Sequence, residues 1–300
     1  MKIIISGSFG HIGSYLIDRL QTDNRFKSII LIDNFQTQRF GSYLKLKKKK
    51  FQLIDKNIND INFKNFKERY DFFVHLAAIT NAAESFKIKD LINKNNFGGT
   101  KKVVNFCKKK NVPLIFPSST SVYGKKFSII NSSNNMDNLF AQSPYAKTKI
   151  KEEKYIRENL KKYVILRLGT IVGISEGMRF HTAVNKFCYQ ASLNQPLTIW
   201  KKFYDKKRPY LTLEDFYNCL NFIIKNKYFS NETIDVVTKN YTVKEIIDLI
   251  EIFKKTKKKF VNTEILNQNS YEVISDKLLK LGVKFNKGIK KDIFKTLKLL

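Results

Sequence analysis

The stretch Ile3-Ile4-Ile5-Ser6-Gly7-Ser8-Phe9-Gly10-His11-Ile12-Gly13 decides the fold of this 300-residue chain. Its apolar, β-branched start predicts a buried strand, and apolar residues at helical spacing follow the glycines. Gly7 allows the chain to reverse, Gly10 lets a pyrophosphate approach the backbone, and Gly13 lets the helix pack closely on its strand. The helix N-terminus then presents free N–H groups to an anion. The stretch therefore predicts a dinucleotide site, although its G-x-x-G-x-x-G spacing differs from the usual G-x-G-x-x-G.

A second apolar run, Ser28-Ile29-Ile30-Leu31-Ile32, ends at Asp33, about 20 residues past the last glycine. An acidic residue at this place is expected to bind the ribose hydroxyls of an adenosine. Its carboxylate would repel the additional phosphate of NADP, and the residues that follow directly, Asn34 and Phe35, are not arginines. We therefore predict that the cofactor is NAD rather than NADP.

Length and composition indicate a globular protein. Hydrophobic residues make up 43% of the chain, which is enough for a large core, and no run approaches the roughly 18 apolar residues of a membrane span. Because the first predicted strand begins at Lys2, we expect no signal peptide and a cytoplasmic location. Cys107, Cys188 and Cys219 lack CxxC spacing and are expected to be buried thiols, and we predict no metal site.

The net charge of +30 allows two interpretations. One is a protein that binds nucleic acid or a membrane surface. The other is a biased composition, rich in lysine, asparagine, isoleucine and phenylalanine, as an AT-rich genome would encode. The lysines are spread in short runs such as 47–50 and 257–259, whereas a nucleic-acid site concentrates charge and interleaves aromatic residues. The pattern favours the biased composition and no specific nucleic-acid partner, although the positive field would attract anionic substrates.

Short apolar strands alternate with helical patterns through the first half of the chain. Strands are predicted at 51–54, 72–76, 114–116 and 163–166, and helices at 96–110 and near Pro144. This alternation predicts an α/β fold, a Rossmann-type doubly wound parallel sheet covered by helices on both faces. Ligands bind such sheets beyond the carboxyl ends of the strands.

The pattern changes after residue 168. Helical stripes at 180–191 and 213–224, a strand at 234–237, a capping box at Thr242 and a short helix capped by Ser275 are predicted there. We predict an NAD-binding Rossmann domain at 1–168, to which 211–237 returns, and a smaller mixed substrate-binding domain at 169–300. Trp200 ends an apolar patch and is expected to pack in the core.

Tyr145 and Lys149 form a pair with a defined chemistry. Ser143 and Pro144 fit the N-cap and first position of a helix, so Tyr145 and Lys149 would share one helix face. An ammonium beside a phenol lowers its pKa from about 10 and makes it a general base. Such pairs also occur on solvated faces of lysine-rich helices, and the serine-rich strand end 118–121 could be a plain turn. The strand end could equally supply a hydroxyl that bonds the substrate oxygen.

These residues make the sequence resemble the extended short-chain dehydrogenase/reductases, a family of nucleotide-sugar epimerases and dehydratases. The resemblance covers nearly the whole chain. Beyond the glycine and Tyr–Lys motifs, it is carried by Asp33-Asn34, Asn57-Ile58-Asn59-Asp60, His75-Leu76-Ala77-Ala78, Asn96-Phe97-Gly98-Gly99-Thr100, Arg167-Leu168-Gly169-Thr170-Ile171-Val172-Gly173, Arg208-Pro209-Tyr210-Leu211-Thr212-Leu213-Glu214-Asp215 and Ser275-Asp276-Lys277-Leu278.

The resemblance implies a role for each matching residue. Tyr145 would be the catalytic base and acid, Lys149 would hold the nicotinamide ribose, and Ser119 would align the sugar hydroxyl during oxidation at C4. The implied cofactor-binding residues are Gly7, Phe9, Gly10, His11, Ile12, Gly13, Asp33, Asn34, Asn57, Ile58, Leu76, Ala77, Ala78, Asn96, Tyr145 and Lys149. A homodimer is implied by the resemblance alone, through helices near 96–110 and 145–160.

Five residues are the candidates for substrate binding: Thr120, Thr170, Arg179, His181 and Arg208. Arg179 and Arg208 are the diphosphate candidates, because lysine cannot reproduce the planar fork of a guanidinium. His181 could instead be a partly buried helix histidine. The segment 173–185 resembles family members of surface-polysaccharide pathways, including heptose-linked C4 dehydrogenases.

Two departures from the family pattern bear on the reaction. The 4,6-dehydratases carry an Asp-Glu pair where this chain has Thr120 and Ser121, so the sequence favours a 4-epimerase. UDP-sugar epimerases carry an arginine shortly before the Ser275 region, where this chain has Asn267-Gln268-Asn269-Ser270; this puts a UDP-sugar, but not every nucleotide sugar, in question.

We therefore predict an NAD-dependent nucleotide-sugar 4-epimerase of surface-polysaccharide biosynthesis. A C4 dehydrogenase or ketoreductase of the same family is the near alternative. A non-catalytic nucleic-acid-binding or scaffold relative is the more distant one.

Overall fold

The computed structural model describes residues 1–47, 49–124, 129–131, 139–262 and 270–300, and only the backbone of 129–131. The described strands are β1 (Lys2–Ser6), β2 (Ser28–Asp33), β3 (Phe51–Asp55), β4 (Phe72–His75), β5 (Leu114–Ser119), β6 (Ile129–Asn131), β7 (Tyr163–Leu168), β8 (Thr170–Val172), β9 (Leu197–Trp200), β10 (Arg208–Thr212), β11 (Glu232–Val236), β12 (Lys239–Tyr241), β13 (Lys258–Val261) and β14 (Glu272–Ile274). The described helices are α1 (His11–Thr22), α2 (Gly41–Leu44), α3 (Lys89–Ile92), α4 (Gly98–Lys110), α5 (Pro144–Asn159), α6 (Ala183–Ser192), α7 (Leu213–Asn226), α8 (Val243–Glu251), α9 (Asp276–Lys280) and α10 (Lys290–Leu299). Short 3₁₀ turns and a π-helical turn at Asn93–Phe97 lie between these elements.

The central sheet has seven strands in the order β11-β7-β5-β4-β1-β2-β3, and neighbouring strands run parallel. The strand order reverses between β1 and β4, where Ser6 pairs with His75. Doubly wound sheets bind their ligands in the crevice at such a reversal. The predicted α/β, Rossmann-type fold is confirmed.

The sheet is buried on both faces, which explains the nearly continuous apolar runs of its strands. Alternate residues of β1 point to opposite sides: Ile3 and Ile5 pack with residues of α1 and α7, whereas Ile4 packs with residues of α4 and α5. Full burial of one such side chain contributes about 1.5–3 kcal/mol to stability.

The second half of the chain builds smaller sheets beside the central one. Strands β12, β10 and β8 form a three-stranded sheet, and β9 pairs with β13. Their core, with residues of α6, α8 and α10, includes Val184, Phe187, Ile199, Ile246 and Ile293. Strand β11 belongs to the central sheet, and the apolar face of α7 belongs to its core. The exact division into two domains stays a prediction.

Two predicted helix caps have different outcomes. The Thr242 capping box is present, with Glu245 bonded to the N-cap backbone and Thr242 to the N3 backbone. Ser275 is the N-cap residue of α9, as predicted, but its side chain makes no capping bond. Its hydroxyl accepts from the Val237 N–H and donates to the Val237 carbonyl, so it ties α9 to the end of β11 instead.

No helix within the described residues combines the length and apolar character that a membrane crossing would require. The three cysteines are buried, as predicted. Burial raises the pKa of their thiols, that of Cys188 to about 12.

Candidate active site

A cleft of about 720 Å³ lies at the carboxyl ends of the central strands, on both sides of the switch between β1 and β4. The predicted site residues that line it are Gly7, Gly10, His11, Ile12, Gly13, Asp33, Asn34, Asn57, Ile58, Leu76, Ala77, Ala78, Ser119, Thr120, Tyr145, Lys149, Thr170, Arg179, His181 and Arg208. Residues far apart in the chain converge there because parallel strands deliver their carboxyl ends to one edge. Asn267 to Asn269, which bore on the UDP-sugar question, lie outside the described residues.

Phe9 and Asn96 are the two predicted cofactor-binding residues that are not among those lining the cleft. The Phe9 ring is buried in the core and stacks on Phe35, while the Phe9 N–H donates to Asp33. Asn96 is buried, and its amide bonds both the N–H and the carbonyl of Ile79 at 2.9 Å. Both residues therefore hold cleft-lining segments in place, and their predicted contact with the cofactor stays a prediction.

The glycine loop fits a dinucleotide pyrophosphate. A Cβ on Gly7 would lie 2.6 Å from the Ala77 nitrogen, and a Cβ on Gly13 only 2.4 Å from the Gly7 oxygen. Gly7 also has a positive φ of 69°. A Cβ on Gly10 would meet only the Gly7 oxygen, at 3.4 Å. Packing therefore requires glycine at 7 and 13, whereas Gly10 leaves space free where the N-terminus of α1 faces the cleft.

Asp33 ends β2 and is held by backbone donors. Its Oδ2 accepts from the Phe9 N–H and its Oδ1 from the Phe35 N–H, each at 2.9 Å. A carboxylate oxygen can accept a second bond, so both oxygens remain able to bind ribose hydroxyls. Arg39 also lines this part of the cleft, and its charge interacts with Asp33. The sequence reasoning missed Arg39, although an arginine is uncommon in this lysine-rich chain.

Tyr145 stands at the start of α5. Ser143 caps that helix by accepting from the Ala146 N–H, and Pro144 occupies its first turn. The Tyr145 hydroxyl is hydrogen-bonded to Ser119, and Lys149 Nζ lies 5.9 Å from the tyrosine ring centre. The predicted triad of hydroxyl, phenol and ammonium is therefore assembled.

The pKa of Tyr145 departs from the prediction. Burial raises this pKa, whereas Lys149, Arg179 and the bond to Ser119 act in the opposite direction and Glu152 adds to the rise. The net direction of the pKa of Tyr145 is upward, because the loss of hydration of the buried phenolate outweighs the effect of the ammonium. The prediction considered only the ammonium. Without a bound ligand, Tyr145 is therefore a phenol at neutral pH.

Lys149 is 3% exposed and is surrounded by groups that favour its charge. Its ammonium donates to the Pro117 carbonyl at 3.3 Å, lies 4.4 Å from the Phe116 ring centre and forms an ion pair with Glu152 at 3.1 Å. Burial is the largest single influence and lowers the pKa of Lys149, but the charge and hydrogen bond of Glu152, with the charges of Tyr145 and Glu153, together outweigh it and the net direction is upward. Lys149 is therefore a cation at neutral pH.

The other side of the cleft carries cationic side chains. Arg179 donates to the Thr80 hydroxyl, and its buried Nε has no hydrogen-bond partner among the described residues. Partial burial, followed by the charges of Arg179 and Arg39, lowers the pKa of His181 to about 4. The Arg208 guanidinium lies 4.7 Å from the ring centre of Tyr271. This concentration of positive charge is suited to an anionic ligand.

Three aromatic residues of this side were not predicted as site residues: Trp200, Tyr210 and Tyr271. Core packing was predicted for Trp200, but Trp200 lines the cleft while Ile199 is buried. Successive residues of a strand point to opposite faces, and the core takes Ile199 of β9. The Tyr271 hydroxyl donates to Thr120 at 3.4 Å, and the Thr120 hydroxyl donates to the Leu168 carbonyl at 3.2 Å.

The chain resembles known proteins over most of its length. The family model "NAD dependent epimerase/dehydratase family" matches residues 3–236. A Bacillus subtilis protein described as an uncharacterized UDP-glucose epimerase is 26% identical over 265 residues, covering 84% of this chain and 81% of that protein.

Solved structures share the fold over the full length. The UDP-glucuronic acid 4-epimerase of Bacillus cereus, in complex with UDP-glucuronic acid and NAD, superposes with a TM-score of 0.86 at 24% identity, covering 100% of this chain and 99% of that one. The UDP-N-acetylglucosamine 4-epimerase of Methanobrevibacter ruminantium gives 0.86 at 22% identity, covering 99% and 97%. With the family model matching more than two thirds of its length, the chain belongs to the NAD-dependent epimerase/dehydratase family.

Proposed function

We propose that this protein is a nucleotide-sugar 4-epimerase that acts through a transient 4-keto sugar. The observation that carries the proposal is the convergence of Ser119, Tyr145 and Lys149 at the carboxyl end of β5, beside the glycine loop. A hydroxyl, a phenol and an ammonium in hydrogen-bond and charge contact are the groups needed to remove a proton from a sugar hydroxyl.

In this proposal Ser119 and Tyr145 bind the hydroxyl at C4 of the sugar. Once Tyr145 has lost its own proton, its phenolate takes the hydroxyl proton while C4 loses its hydrogen as hydride, and a C=O bond forms. NAD, when bound, supplies the acceptor for that hydride and the donor for its return. Lys149 stabilises the phenolate and binds the nicotinamide ribose. Rotation of the keto sugar exposes its other face, and Tyr145 returns the proton as the C4–H bond re-forms.

The acid–base groups of the cleft support epimerisation over dehydration. Elimination of water needs an additional acid and base near the sugar. Among the described residues that line the cleft, the carboxylates are Asp33, beside the glycine loop, and Glu84. Thr120 and Ser121 follow Ser119, and neither can act as a carboxylic acid.

The cationic side of the cleft supports a nucleotide diphosphate as the part of the substrate that anchors the sugar. Arg179 and Arg208 can bind phosphate oxygens through two N–H groups each. The 4-epimerases whose structures resemble this chain have UDP-sugars in their names. We further expect a homodimer in the cytoplasm that supplies a sugar for surface polysaccharide.

The proposal is tested by incubating the purified protein with individual nucleotide sugars and NAD. An epimerase yields the C4 epimer, detected by chromatography, with no net NADH absorbance, and it retains NAD through dialysis. Steady accumulation of NADH would instead identify the C4 dehydrogenase alternative. If no nucleotide sugar is turned over, the epimerase proposal is wrong.

A further inference from the structure

A buried chain of hydrogen bonds leads from the centre of the sheet to Lys149. Ser6, His75, Thr100 and Glu152 are each at most 3% exposed. Ser6 Oγ lies 2.7 Å from His75 Nδ1, and His75 Nε2 lies 3.2 Å from Thr100 Oγ1. Thr100 donates to Glu152 Oε1 at 2.7 Å, and Glu152 Oε2 lies 3.1 Å from Lys149 Nζ.

The direction of every bond in this chain follows from the chemistry of its ends. The Thr100 hydroxyl has one proton, which it gives to Glu152, so His75 must donate to Thr100 from Nε2. Burial lowers the pKa of His75 to about 3, so the imidazole is neutral and its Nδ1 accepts from Ser6. All donors therefore point towards the Glu152 carboxylate, which receives a hydroxyl on one oxygen and faces an ammonium with the other.

We propose that Glu152 is a positioning residue for the reaction: anchored by Thr100 and His75, it fixes the Lys149 ammonium beneath Tyr145 and sets the pH range in which the pair works. This inference rests on the proposed function, because it assigns Lys149 and Tyr145 to catalysis. The inference concerns neither the substrate nor the hydride transfer.

Glu153, the neighbour of Glu152, has a different role, since it pairs with the buried Arg167 and accepts from Ser118.

The charges around Glu152 predict the direction in which the pKa values of Tyr145 and Lys149 change when Glu152 is replaced. The groups that act on the pair are Glu152, Glu153 and Tyr145 from α5, His75 from β4 and Arg179 from the far side of the cleft. Glu152 raises the pKa of both Tyr145 and Lys149. Removing its charge therefore moves deprotonation of the base and deprotonation of the ammonium to lower pH.

The first experiment compares Glu152→Gln with the wild type and with Glu158→Gln. Glu158 lies on the same helix but is exposed and 3.9 Å from Lys154, so it is a matched control for the loss of one negative charge. We expect both limbs of the kcat–pH profile of Glu152→Gln to move to lower pH by about one unit or more. We expect Glu158→Gln to keep the wild-type profile, and Glu152→Asp to restore it at reduced kcat. A folded Glu152→Gln variant with an unmoved profile would overturn the proposal.

The second experiment measures NAD binding by calorimetry and does not depend on turnover. Thr100→Val is nearly isosteric, leaves every charge in place and removes the hydroxyl that anchors Glu152, so it remains decisive even if Glu152→Gln does not fold. We expect its Kd for NAD to rise about fivefold or more, because Lys149 is no longer held. An unchanged Kd would overturn the proposal. If the wild type turns over no nucleotide sugar, the epimerase proposal fails, while this measurement still decides the role of Glu152.

Discussion

Tyr145 is the residue on which the proposed reaction depends most. Its hydroxyl is the group expected to move the proton, and its contact with Ser119 fixes where that proton is exchanged. Removal of a general base costs about 10²–10⁴-fold in rate. We expect Tyr145→Phe to lose at least ~100-fold in kcat, with unchanged thermal unfolding.

Tyr228→Phe is the matched control for this prediction. Tyr228 donates to Glu232 at 2.8 Å, away from the cleft residues and from helices α4 and α5. Its loss should leave kcat within about twofold, because surface substitutions have small effects. Equal activity of Tyr145→Phe and wild type would remove Tyr145 from the mechanism.

The choice between NAD and NADP is predicted to depend on Asp33. Its charge would repel a phosphate on the adenosine ribose, and its two oxygens accept from the Phe9 N–H of the glycine loop and from the Phe35 N–H just after β2. We expect Asp33→Ala to bind NAD about tenfold more weakly and to lose most of its preference over NADP, measured as the ratio of the two Kd values. Asp33→Asn keeps the shape without the charge and should also lose the preference. A ratio unchanged in both variants would contradict this role for the carboxylate.

In the loop between β1 and α1, different glycines are required for folding and for NAD binding. Gly10 is the N-cap of α1 with φ of −70° and ψ of 177°, a conformation that alanine adopts without strain. Its Cβ would meet the protein only at 3.4 Å. We expect Gly10→Ala to change the free energy of unfolding by less than about 0.5 kcal/mol and to weaken NAD binding at least about tenfold.

Gly13→Ala is the contrasting variant in the same loop. Its Cβ would lie 2.4 Å from the carbonyl oxygens of Gly7 and Ser8, so the helix must move from its strand. We expect this variant to lose about 2 kcal/mol or more of stability, measured by urea unfolding. Equal stability of the two variants, or equal NAD affinity of Gly10→Ala and wild type, would refute the separation of the two roles.

Helix α10 contains a carboxylate in an unfavourable position. Burial, with Glu214 and Asp215 nearby, raises the pKa of Asp292 to about 6 from 3.8. Because the folded-state pKa lies above the unfolded one, stability is lost as the pH rises from about 4 through 6. We expect Asp292→Asn to stabilise the protein by about 1–2 kcal/mol at pH 7 and to have no effect at pH 4. Stabilisation that is the same at both values would show another cause.

In the molecule as a whole, the sequence predicts the fold and most of the cleft for one physical reason. Apolar runs separated by helical stripes specify a parallel sheet, and such a sheet brings the ends of all its strands to one edge. Gly7, Asp33, Ser119 and Tyr145 therefore meet without any knowledge of distances.

What the sequence did not predict depends on side-chain direction and on packing in three dimensions. A motif does not tell whether Phe9 or Asn96 acts through its side chain towards a ligand or towards the protein. Along β9, Ile199 is buried while Trp200, which was expected in the core, lines the cleft. Arg39 and Tyr271 reach the cleft from segments outside the helices and strands, whose path is decided by the rest of the fold.

Two buried histidines make the stability of the whole molecule depend on pH. His11 donates to the Gly173 carbonyl at 2.7 Å and His75 lies within the chain to Glu152. Burial lowers the pKa of each to about 3 from 6.5. Since the folded-state pKa lies below the unfolded one, the unfolded chain binds more protons between these values, and stability falls as the pH drops below about 6.5.

As the pH falls from 7 to 5, each histidine should lower the free energy of unfolding by about 2 kcal/mol, while protonation of Asp292 should raise it by about 1 kcal/mol. We therefore expect the free energy of unfolding in urea to fall by about 3 kcal/mol, and His11→Gln to lose about 2 kcal/mol less than the wild type over that range. The expected loss is a substantial fraction of the 5–15 kcal/mol that typically holds a domain together, so mild acid should weaken the fold measurably before the surface carboxylates titrate. A stability that is flat from pH 7 to pH 5 would mean that both imidazoles can be protonated inside the folded protein.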